Sequence, residues 1–449
     1  MPADFPAGGP PAAVPASTPA ELSPEAMPAR IHLDELHGLS TAVLTQRMQA
    51  LRIRVHPDRT RNQLVADTLR ALTERGVEVL VDGVLEMASE THGFLRWPRF
   101  SFRPGPEDIY VPAAVVRRFG LQTGHRIVGR VRSARDREKF LALDEVHTIE
   151  GIAAAAWSTP KPFDSLTATF PTERIILENR VTRSLTARAL DLITPLGLGQ
   201  RALILAPPRV GKTILLKEIA QAIRASSPQH HVIMLLVDER PEEVTDLRRS
   251  VDCDIFSSTF DEAPARHIQV AELVSERARR LVELGRNVII LLDSITRLAR
   301  GYNAVQPGKG RTMSGGVDSK ALAKPKKFFS SARKVEEGGS LTIIGTALVD
   351  TESRMDQVIF EEFKGTGNME LHLDRSLSDQ RLFPAIHIVN SGTRREELLY
   401  HPAEFERITL LRRTLAQLPA IEAMEVLLAN LKATRTNAEL LLAGLREVS

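Results

Sequence analysis

Residues 201–223, RALILAPPRVGKTILLKEIAQAI, decide the fold of the longer part of the chain. An apolar strand pattern at 201–205 is followed by the short segment APPRVGKT at 206–213 and then by a helical pattern. This segment matches the phosphate-binding loop G-x-x-x-x-G-K-[ST], except that Ala206 stands where the first glycine is usual. Because a strand precedes the segment and a helix follows it, a chance Gly-Lys-Thr at a helix start is a poor explanation.

The loop residues suit the phosphate chain of a nucleotide. A tight turn aims backbone N–H groups at the phosphates, at the positive end of the following helix. Lys212 places a charge on the β- and γ-phosphate oxygens, and the Thr213 hydroxyl is a ligand that Mg²⁺ accepts. ATP and Mg²⁺ are therefore expected. The expected binding residues are Pro208, Arg209, Val210, Gly211, Lys212, Thr213 and Ile214.

Apolar strand patterns alternate with helical stretches throughout residues 185–349. Examples are VIMLLV at 232–237, VIILL at 288–292 and LTIIGTALV at 341–349. This alternation is typical of a parallel sheet covered by helices on both faces, in which ligands bind beyond the carboxyl ends of the strands. Asp293 ends one strand and suits the Mg²⁺ shell, and Glu239 ends another and could polarise an attacking water. Either acid alone would be read as an ordinary strand-end residue.

The N-terminal part of the chain divides into a tail and a helical region. The first 29 residues hold 8 Pro and 8 Ala and no Lys or Arg. This composition predicts a disordered tail over 1–29. Apolar residues at three-to-five-residue intervals predict a small helical bundle over 30–79, with breaks at Gly38 and Pro57. A capping or docking module explains the bundle as well as a nucleic-acid contact does.

The next segment has the period of β-strands. Alternation predicts five short strands at 84–87, 93–96, 108–111, 127–131 and 139–143. They fit a closed barrel of the OB or cold-shock kind over 80–148. Period two places Phe94 beside Arg96 and Asp108 beside Tyr110, which suits base stacking and phosphate contact. An alternating aromatic in a small barrel is, however, more often a core residue.

These segments together predict a multidomain α/β chain. An N-terminal helical bundle and an OB or cold-shock-like barrel precede a linker over 149–183, which is rich in Ala, Pro and Thr. A parallel α/β nucleotide-binding domain is predicted over 184–449.

Positive charge is concentrated in one span. Lys and Arg number 59 against 56 Asp and Glu, but residues 297–334 hold ten Lys or Arg against one acid, Asp318. A solvated basic face would explain this span. A flexible basic loop just after the strand that ends at Asp293 would instead be placed to couple a polyanion to the nucleotide.

Several site classes are excluded by composition. Cys253 is the sole cysteine, which excludes an intrachain disulfide framework and cysteine-based zinc sites. No apolar run reaches the roughly 18 residues of a membrane span. The start, MPADFPAGG, lacks the features of a signal peptide. A cytoplasmic protein without a membrane partner is predicted.

Longer strings then point to a family. They occur in the order APPRVGKT, DERPEEVTDLRR, STFDEAPARH, LLDSITRLAR, SGGVD, EEFKGTGNMELHL and SGTRREEL. Together they resemble the Rho family of bacterial transcription termination factors, from about Ile31 to the C-terminus. The resemblance implies a RecA-like motor in a homohexameric ring that moves along or unwinds RNA at the expense of ATP. It implies nascent single-stranded RNA, RNA polymerase and elongation factors as partners.

The resemblance also implies roles around the nucleotide. Glu239 matches the catalytic carboxylate, Asp293 the acid associated with Mg²⁺, and Arg240 a residue beside the nucleotide. Phe383, in RLFPAI, matches an aromatic that packs on adenine. Arg394, in SGTRREE, matches an arginine finger that reaches the neighbouring subunit's ATP. Sequence alone gives Lys212 as the one cation inside the chain's own site, and without the family match Arg394 would be read as a surface residue.

The implied RNA contacts form two groups. In the barrel they are Phe94, Arg96, Asp108, Tyr110, Lys139 and Phe140. In the channel, a loop at 312–317 supplies Ser314, Gly315, Gly316 and Val317, and a second loop at 351–355 supplies Arg354. Some positions depart from the family pattern, namely Arg209 and Arg354 in place of Lys, and also His92, Phe140 and Glu352. We expect these departures to alter RNA preference and motor rate.

Two other functions remain open on the sequence. A ring ATPase of the rotary synthase kind shares the motor fold and the arginine finger, but lacks basic channel loops and an RNA-type barrel. An RNA-binding regulator with an inactive nucleotide site is the second, and intact Lys212, Thr213, Glu239 and Asp293 argue against it.

Overall fold

A computed structural model describes residues 28–134, 138–306 and 314–445. Residues 1–27, most of the predicted tail, lie outside this description. The strands form a seven-stranded sheet in the N-terminal part, a nine-stranded sheet in the C-terminal part and a two-stranded ribbon.

The N-terminal part contains three helices, and the breaks between them lie at Gly38 and around Pro57, as predicted. The elements up to the end of the barrel are β1 (Arg30–His32), α1 (Leu33–Gly38), α2 (Thr41–Ala50), α3 (Arg61–Glu74), β2 (Glu78–Met87), β3 (Gly93–Arg96), β4 (Ile109–Val111), α4 (Ala113–Phe119), β5 (Arg126–Arg132), β6 (Ala142–Ile149) and β7 (Ile152–Ala153).

The predicted closed barrel is confirmed. The strand order is β2-β3-β4-β6-β5, and β5 pairs back onto β2. Two strand positions were wrong. The strand expected at 84–87 is the second half of β2, and the strand expected at 139–143 starts only at Ala142 and runs on to Ile149, because buried Leu143, Val146 and Ile149 continue the apolar face.

The helices and the barrel are not separate bodies. Strand β1 pairs in parallel with β2, at the start of the helical region. One continuous apolar core includes Leu44 of α2, Leu69 of α3 and Leu95 and Ile127 of the barrel. The bundle therefore supports the barrel wall.

Residues 149–183, which were expected to form a linker, pack against both the barrel and the C-terminal domain. Trp157 Nε1 donates to the backbone oxygen of Phe119 at 2.9 Å, on the barrel. Phe163 is buried in the motor core, and its backbone N–H donates to Glu283 at 2.7 Å. The short strands β8 (Ala168–Thr169) and β9 (Arg174–Ile175) pair with motor strands. The segment expected as a linker thus attaches to both parts.

The motor domain alternates strands and helices as predicted. Its elements are α5 (Leu185–Ile193), β10 (Leu196–Gly197), β11 (Arg201–Ala206), α6 (Lys212–Ser226), β12 (His231–Glu239), α7 (Pro241–Ser250), β13 (Asp254–Thr259), α8 (Pro264–Glu283), β14 (Asn287–Asp293), α9 (Ile295–Val305), α10 (Ala323–Ser330), β15 (Arg333–Val335), β16 (Ser340–Leu348), α11 (Arg354–Phe363), β17 (Met369–His372), α12 (Arg375–Asp379), β18 (Gly392–Thr393), α13 (Pro402–Leu415), α14 (Ala420–Ala433) and α15 (Asn437–Ala443).

The large sheet is parallel through its centre, in the order β13-β12-β14-β16-β11-β17. Both faces are buried: Met234 and Leu236 of β12 lie in one apolar cluster, and Leu235 and Val237 in the other. The carboxyl ends of β11, β12 and β14 meet at one edge. This edge carries the phosphate loop and both candidate acids.

Within the described residues, no helix has the length and apolar character needed to cross a membrane.

Candidate functional site

The phosphate loop connects β11 to α6 through two left-handed residues. Arg209 has φ +68° and Gly211 has φ +84°. Gly211 is the N-cap of α6, so Lys212 and Thr213 occupy its first two positions. Pro208, Arg209 and Ile214 are exposed, whereas Val210 is buried and anchors the loop to the core. The first-turn N–H groups of α6 therefore face a surface that an anion can reach.

Lys212 and Asp293 come together at the centre of this site. The Lys212 ammonium pairs with Asp293 Oδ1, and Glu239 Oε2 lies 4.0 Å from the same ammonium. Asp293 is fully buried, and the Thr346 hydroxyl on β16 donates to its Oδ1 at 3.0 Å. Thr346 was missed in the sequence, where it is one of many strand threonines.

Glu239 is turned into the site by an irregularity at the end of β12. The register against β13 shifts between Val237 and Glu239, and the intervening Asp238 has φ +57°. Glu239 is 3% exposed. Burial, and next the Asp293 carboxylate, raise the pKa of Glu239 above its ordinary value. A carboxylate with a raised pKa is a stronger base than an exposed one.

A second cation corrects the expectation that Lys212 is the one positive charge within the chain's own site. The Arg297 guanidinium lies 3.8 Å from Glu239 Oε1 and 3.9 Å from Asp238. Arg297 occupies the first turn of α9, which starts right after β14. In the sequence, this proximity was indicated by the position of Arg297 four residues after Asp293, because a helix that starts at the end of a strand keeps its first turn close to that strand.

The acids fit a phosphate-bound Mg²⁺. Asp293 Oδ2 and Glu239 Oε2 are buried oxygens that accept no hydrogen bond from the residues that the structure describes. Among the described residues, no three His, Cys, Asp or Glu side chains form a metal-binding group by themselves. Mg²⁺ usually binds through one or two protein ligands plus phosphate and water, so one hydroxyl, from Thr213, and one acid are sufficient.

An apolar cleft adjoins the loop. It has a volume of about 110 Å³ and is lined by Val210, Gly211, Ile214 and Phe383, among others. Phe383 is 47% exposed, and a β-carbon on Gly211 would lie 3.6 Å from its ring. The cleft suits a flat aromatic base. Arg240 lies at the exposed N-cap of α7, where its backbone N–H donates to Glu239 Oε1 at 3.2 Å.

Arg394 is not part of this chain's own site. It follows β18, whose Thr393 is opposite Met369, the first residue of β17. Met369 in turn is opposite Ala202 on β11, four residues before Ala206. At 3.3 Å per residue, Arg394 lies about 13 Å back along the strands from the loop's edge. Its side chain is exposed.

A chain of contacts runs from Asp293 to the candidate channel loops. The Thr296 hydroxyl on α9 accepts from Leu348 N at 2.9 Å, which ties α9 to the end of β16. One turn later, Arg300 forms a two-bond ion pair with Asp356 on α11, at 2.8 and 2.6 Å. Helix α9 thus connects the strand-end acid to α11 at the second loop.

The two candidate channel loops lie against each other. Residues 312 and 313 are outside the described residues, and Ser314–Gly316 form a short 3-10 turn. Gly315 has φ +74°, and a β-carbon there would lie 2.7 Å from the Arg354 carbonyl. Ser314 and Arg354 are exposed, but Val317 is fully buried. The Val317 side chain fills the core of this domain, so the contact with RNA that is predicted at this position involves the backbone of the loop.

The barrel residues form an aromatic cluster. The Phe94 ring lies 5.8 Å from Tyr110 and 5.0 Å from Phe140, and the Arg96 guanidinium lies 5.3 Å from it. The Lys139 ammonium lies 5.5 Å from the Phe140 ring. The three rings are partly exposed, which suits base stacking.

Asp108 is buried in the barrel and does not lie on its surface. Its side chain is 2% exposed, pairs with Arg96 and accepts from Gly105 N at 2.7 Å. Burial raises the pKa of Asp108 to about 6, against the opposing effect of Arg96. Asp108 therefore orients Arg96, and its own contact with RNA stays a prediction. His92 joins the cluster from the other side, 5.4 Å from Tyr110.

Comparison with known proteins gives two family models. Residues 81–154 match the Rho termination factor RNA-binding domain, and residues 186–393 match the nucleotide-binding domain of the ATP synthase alpha/beta family. Among solved structures, a prototypical ATPase from the type III secretion system of pathogenic bacteria is similar at 25% identity, with a TM-score of 0.51, over 57% of this chain and 72% of that one.

Curated relatives extend the match to almost the full length. Transcription termination factor Rho of Akkermansia muciniphila is 53% identical over 94% of this chain and 89% of its own length. The factor of the same name from Allochromatium vinosum is 49% identical over 91% of this chain and 98% of its own length. With the RNA-binding and nucleotide-binding models in the same order on one chain, the protein belongs to the transcription termination factor Rho family.

Proposed function

We propose that this protein is an RNA-dependent ATPase that binds nascent single-stranded RNA and terminates transcription, translocating along or unwinding RNA as a homohexameric ring. The observation that carries the proposal is the presence, on one chain, of an RNA-binding barrel and of a motor that brings Lys212 together with the buried carboxylates of Glu239 and Asp293.

Each motor residue has a defined task in hydrolysis. Lys212 binds the β- and γ-phosphate oxygens, and Phe383 packs on the adenine in the apolar cleft. Thr213 and Asp293 hold Mg²⁺, which neutralises phosphate charge when bound. Glu239 orients and deprotonates the attacking water, a role supported by its burial and raised pKa.

The arginine finger explains why a ring is needed. Arg394 is exposed and lies about 13 Å back along the strands from the phosphate loop, so it serves the ATP of a neighbouring subunit. Arg297 lies close to Glu239 but already has two carboxylates, Asp238 and Glu239, within 4 Å. Hydrolysis at subunit interfaces follows from this arrangement.

RNA acts at two places. The rings of Phe94, Tyr110 and Phe140, together with Arg96, bind single-stranded RNA first. The paired loops of Gly315 and Arg354 contact RNA in the channel. The Arg300–Asp356 ion pair and helix α9 then couple a movement of these loops to Asp293. RNA polymerase and elongation factors are the expected partners in the cytoplasm.

The test is ATP hydrolysis by the full chain with and without poly-pyrimidine RNA. Hydrolysis should rise strongly with RNA, and the Lys212→Ala variant should hydrolyse little in either condition. RNA-independent hydrolysis by the wild type would contradict the proposal, and so would RNA binding with no hydrolysis at all.

A ring ATPase of the rotary kind is the second candidate. The match of residues 186–393 to the ATP synthase alpha/beta model favours it. Such an enzyme has no need of the aromatic cluster in the barrel, so its hydrolysis would be unchanged by RNA and by Phe94→Ala. The same assay therefore separates the two.

A further inference from the structure

A cationic cavity lies where the N-terminal helices, the barrel and the motor domain meet. Its volume is about 370 Å³. Its walls come from α3, from the loop that joins β3 to β4, and from α7, β13 and α8 of the motor. Its charged lining residues are Arg99, Arg103, Arg248, Arg266 and Glu262. The cavity is separate from the phosphate loop and from the aromatic cluster.

The positive charge of this cavity is not balanced by the protein. Glu262 pairs with Arg103, which leaves three guanidinium groups without a carboxylate of their own in the cavity. Burial, and next the charge of Arg103, lower the pKa of Arg266 to about 10. The positive form of this partly buried arginine is thus disfavoured relative to one in water, and an anion would relieve the repulsion.

Attachment of the barrel loop to the motor uses Arg266 fully and Arg248 only weakly. Arg266 donates to the backbone oxygen of Ser101 at 2.5 Å and so holds the barrel loop to α8. Within the described part of the chain, the Arg248 guanidinium makes only long hydrogen bonds, of 3.3 and 3.4 Å, to the hydroxyls of Ser101 and Ser257. Arg99 is exposed and makes no hydrogen bond or ion pair with any residue that the structure describes. Arg99 and Arg248 therefore have donors to spare.

We propose that this cavity binds a phosphate group. Guanidinium groups in a planar fork, together with the hydroxyls of Ser257 and Thr259 in the same wall, are the donor set that phosphate oxygens accept. The group belongs either to the RNA backbone or to a free polyphosphate such as pyrophosphate. Both sources present the same chemistry to the cavity.

A phosphate bound in this cavity would affect the motor, because the cavity adjoins the strand next to the one that carries Glu239. Thr259 is the register partner of Glu239 across β12 and β13. Arg248 lies on α7, the helix that starts immediately after Arg240. A phosphate held between Arg99 of the barrel loop and Arg248 of the motor fixes the barrel against the strand that carries Glu239.

The test is calorimetric titration of the full chain with pyrophosphate, without divalent cations. It is done in a Lys212→Ala background, so that the phosphate loop contributes little. Arg99→Ala and Arg248→Ala together should weaken pyrophosphate binding by about tenfold or more, the worth of one or two charge-assisted hydrogen bonds. The matched control is Arg117→Ala, an exposed arginine on the barrel helix α4, which should leave the affinity unchanged.

A second arm distinguishes the two sources. If the ligand is the RNA backbone, a single-stranded oligonucleotide should displace pyrophosphate, and the double variant should bind that RNA more weakly at low salt. If the ligand is a free polyphosphate, RNA and pyrophosphate should bind together and RNA affinity should stay unchanged. Equal pyrophosphate affinity and equal RNA affinity in the double variant and the Arg117→Ala control would overturn the proposal, whether or not the protein hydrolyses ATP.

Discussion

The ammonium of Lys212 pairs with the fully buried carboxylate of Asp293, and Glu239 lies 4.0 Å from the same ammonium. Lys212 therefore faces two carboxylates that have almost no contact with water, and Arg297 lies 3.8 Å from one of them, Glu239. Removing the Lys212 charge leaves the buried Asp293 carboxylate without this counter-charge, which is costly in a buried site. The chemistry and the local stability of the motor are coupled at this point.

The Lys212→Ala variant should lose nearly all ATP hydrolysis, because the β- and γ-phosphates lose their main positive contact. Its free energy of unfolding should fall by about 3 kcal/mol, the usual cost of breaking a buried ion pair. Phosphate release and urea denaturation measure the two effects. Adding Asp293→Asn should restore much of the stability but none of the activity. Unchanged stability in the single variant would mean that the pair contributes nothing.

The parts of this site that the sequence predicts are those fixed by local geometry. A loop between a strand and a helix, and acids at strand ends, have the same place in any parallel sheet, so Lys212, Thr213, Glu239 and Asp293 could be assigned from their neighbours. Thr346 could not, because its approach to Asp293 depends on how β16 packs, and for Arg297 the only signal was its position in the first turn after the strand that ends at Asp293. The same limit explains why the burial of Val317 and Asp108 was not predicted. The alternation of residues and the loop motif indicate which face of an element a residue occupies, but whether that face is buried depends on tertiary packing.

The buried Asp108 predicts a pH dependence of stability. Its pKa is raised to about 6 from 3.8, so the folded state holds this proton more tightly than the unfolded state. Its contribution to stability is therefore complete below pH 3.8 and is lost as pH rises through about 6. Urea denaturation across this range should show the wild type losing stability relative to Asp108→Asn. The opposite trend would mean that the Arg96 ion pair outweighs burial.

The Phe94→Ala variant should bind single-stranded RNA more weakly by about 1–3 kcal/mol, the worth of one stacked base. ATP hydrolysis at saturating RNA should stay close to that of the wild type, because the ring lies in the barrel and not in the motor. Filter binding and phosphate release measure the two properties. Ile152→Ala, at a partly exposed apolar position of β7, is the control and should leave RNA affinity unchanged. Equal losses in both variants would exclude a specific stacking role for Phe94.

The Gly315→Ala variant should have the opposite profile. A β-carbon there would lie 2.7 Å from the Arg354 carbonyl, at a φ of +74° that alanine disfavours, so both loops must shift. RNA affinity of the barrel should be retained, while stimulation of ATP hydrolysis by RNA should be largely lost. Gly316→Ala is the control that separates backbone strain from the steric clash with Arg354. Gly316 has a φ of +77°, but nothing among the described residues lies within 4 Å of the added carbon. A smaller loss of coupling in Gly316→Ala is expected, and full coupling in Gly315→Ala would contradict a role for the paired loops.

Arg394 predicts complementation between two inactive variants. Glu239→Gln should bind ATP but turn it over very slowly, because the water loses its polarising carboxylate. Arg394→Ala should also be nearly inactive, because an arginine finger contributes about 10³–10⁵ in rate. Because Arg394 lies about 13 Å back along the strands from its own phosphate loop, we propose that a complete site combines Glu239 of one subunit with Arg394 of another.

Mixed rings should therefore regain RNA-dependent hydrolysis at those interfaces where an intact Glu239 meets an intact Arg394. The measurement is phosphate release from mixtures of the two variants at several ratios, after subunit exchange has been demonstrated by a tag on one variant. Activity should be highest near equal proportions, where the required neighbours occur most often. Arg395→Ala is the matched control, since Arg395 is exposed and pairs with Glu397 of its own chain; it should retain activity alone. If exchanged rings remain as inactive as either parent, Arg394 does not act across the interface, and a cation of the same chain must stabilise the γ-phosphoryl instead. Arg297 is the candidate, since its guanidinium lies 3.8 Å from Glu239, against 4.0 Å for the Lys212 ammonium.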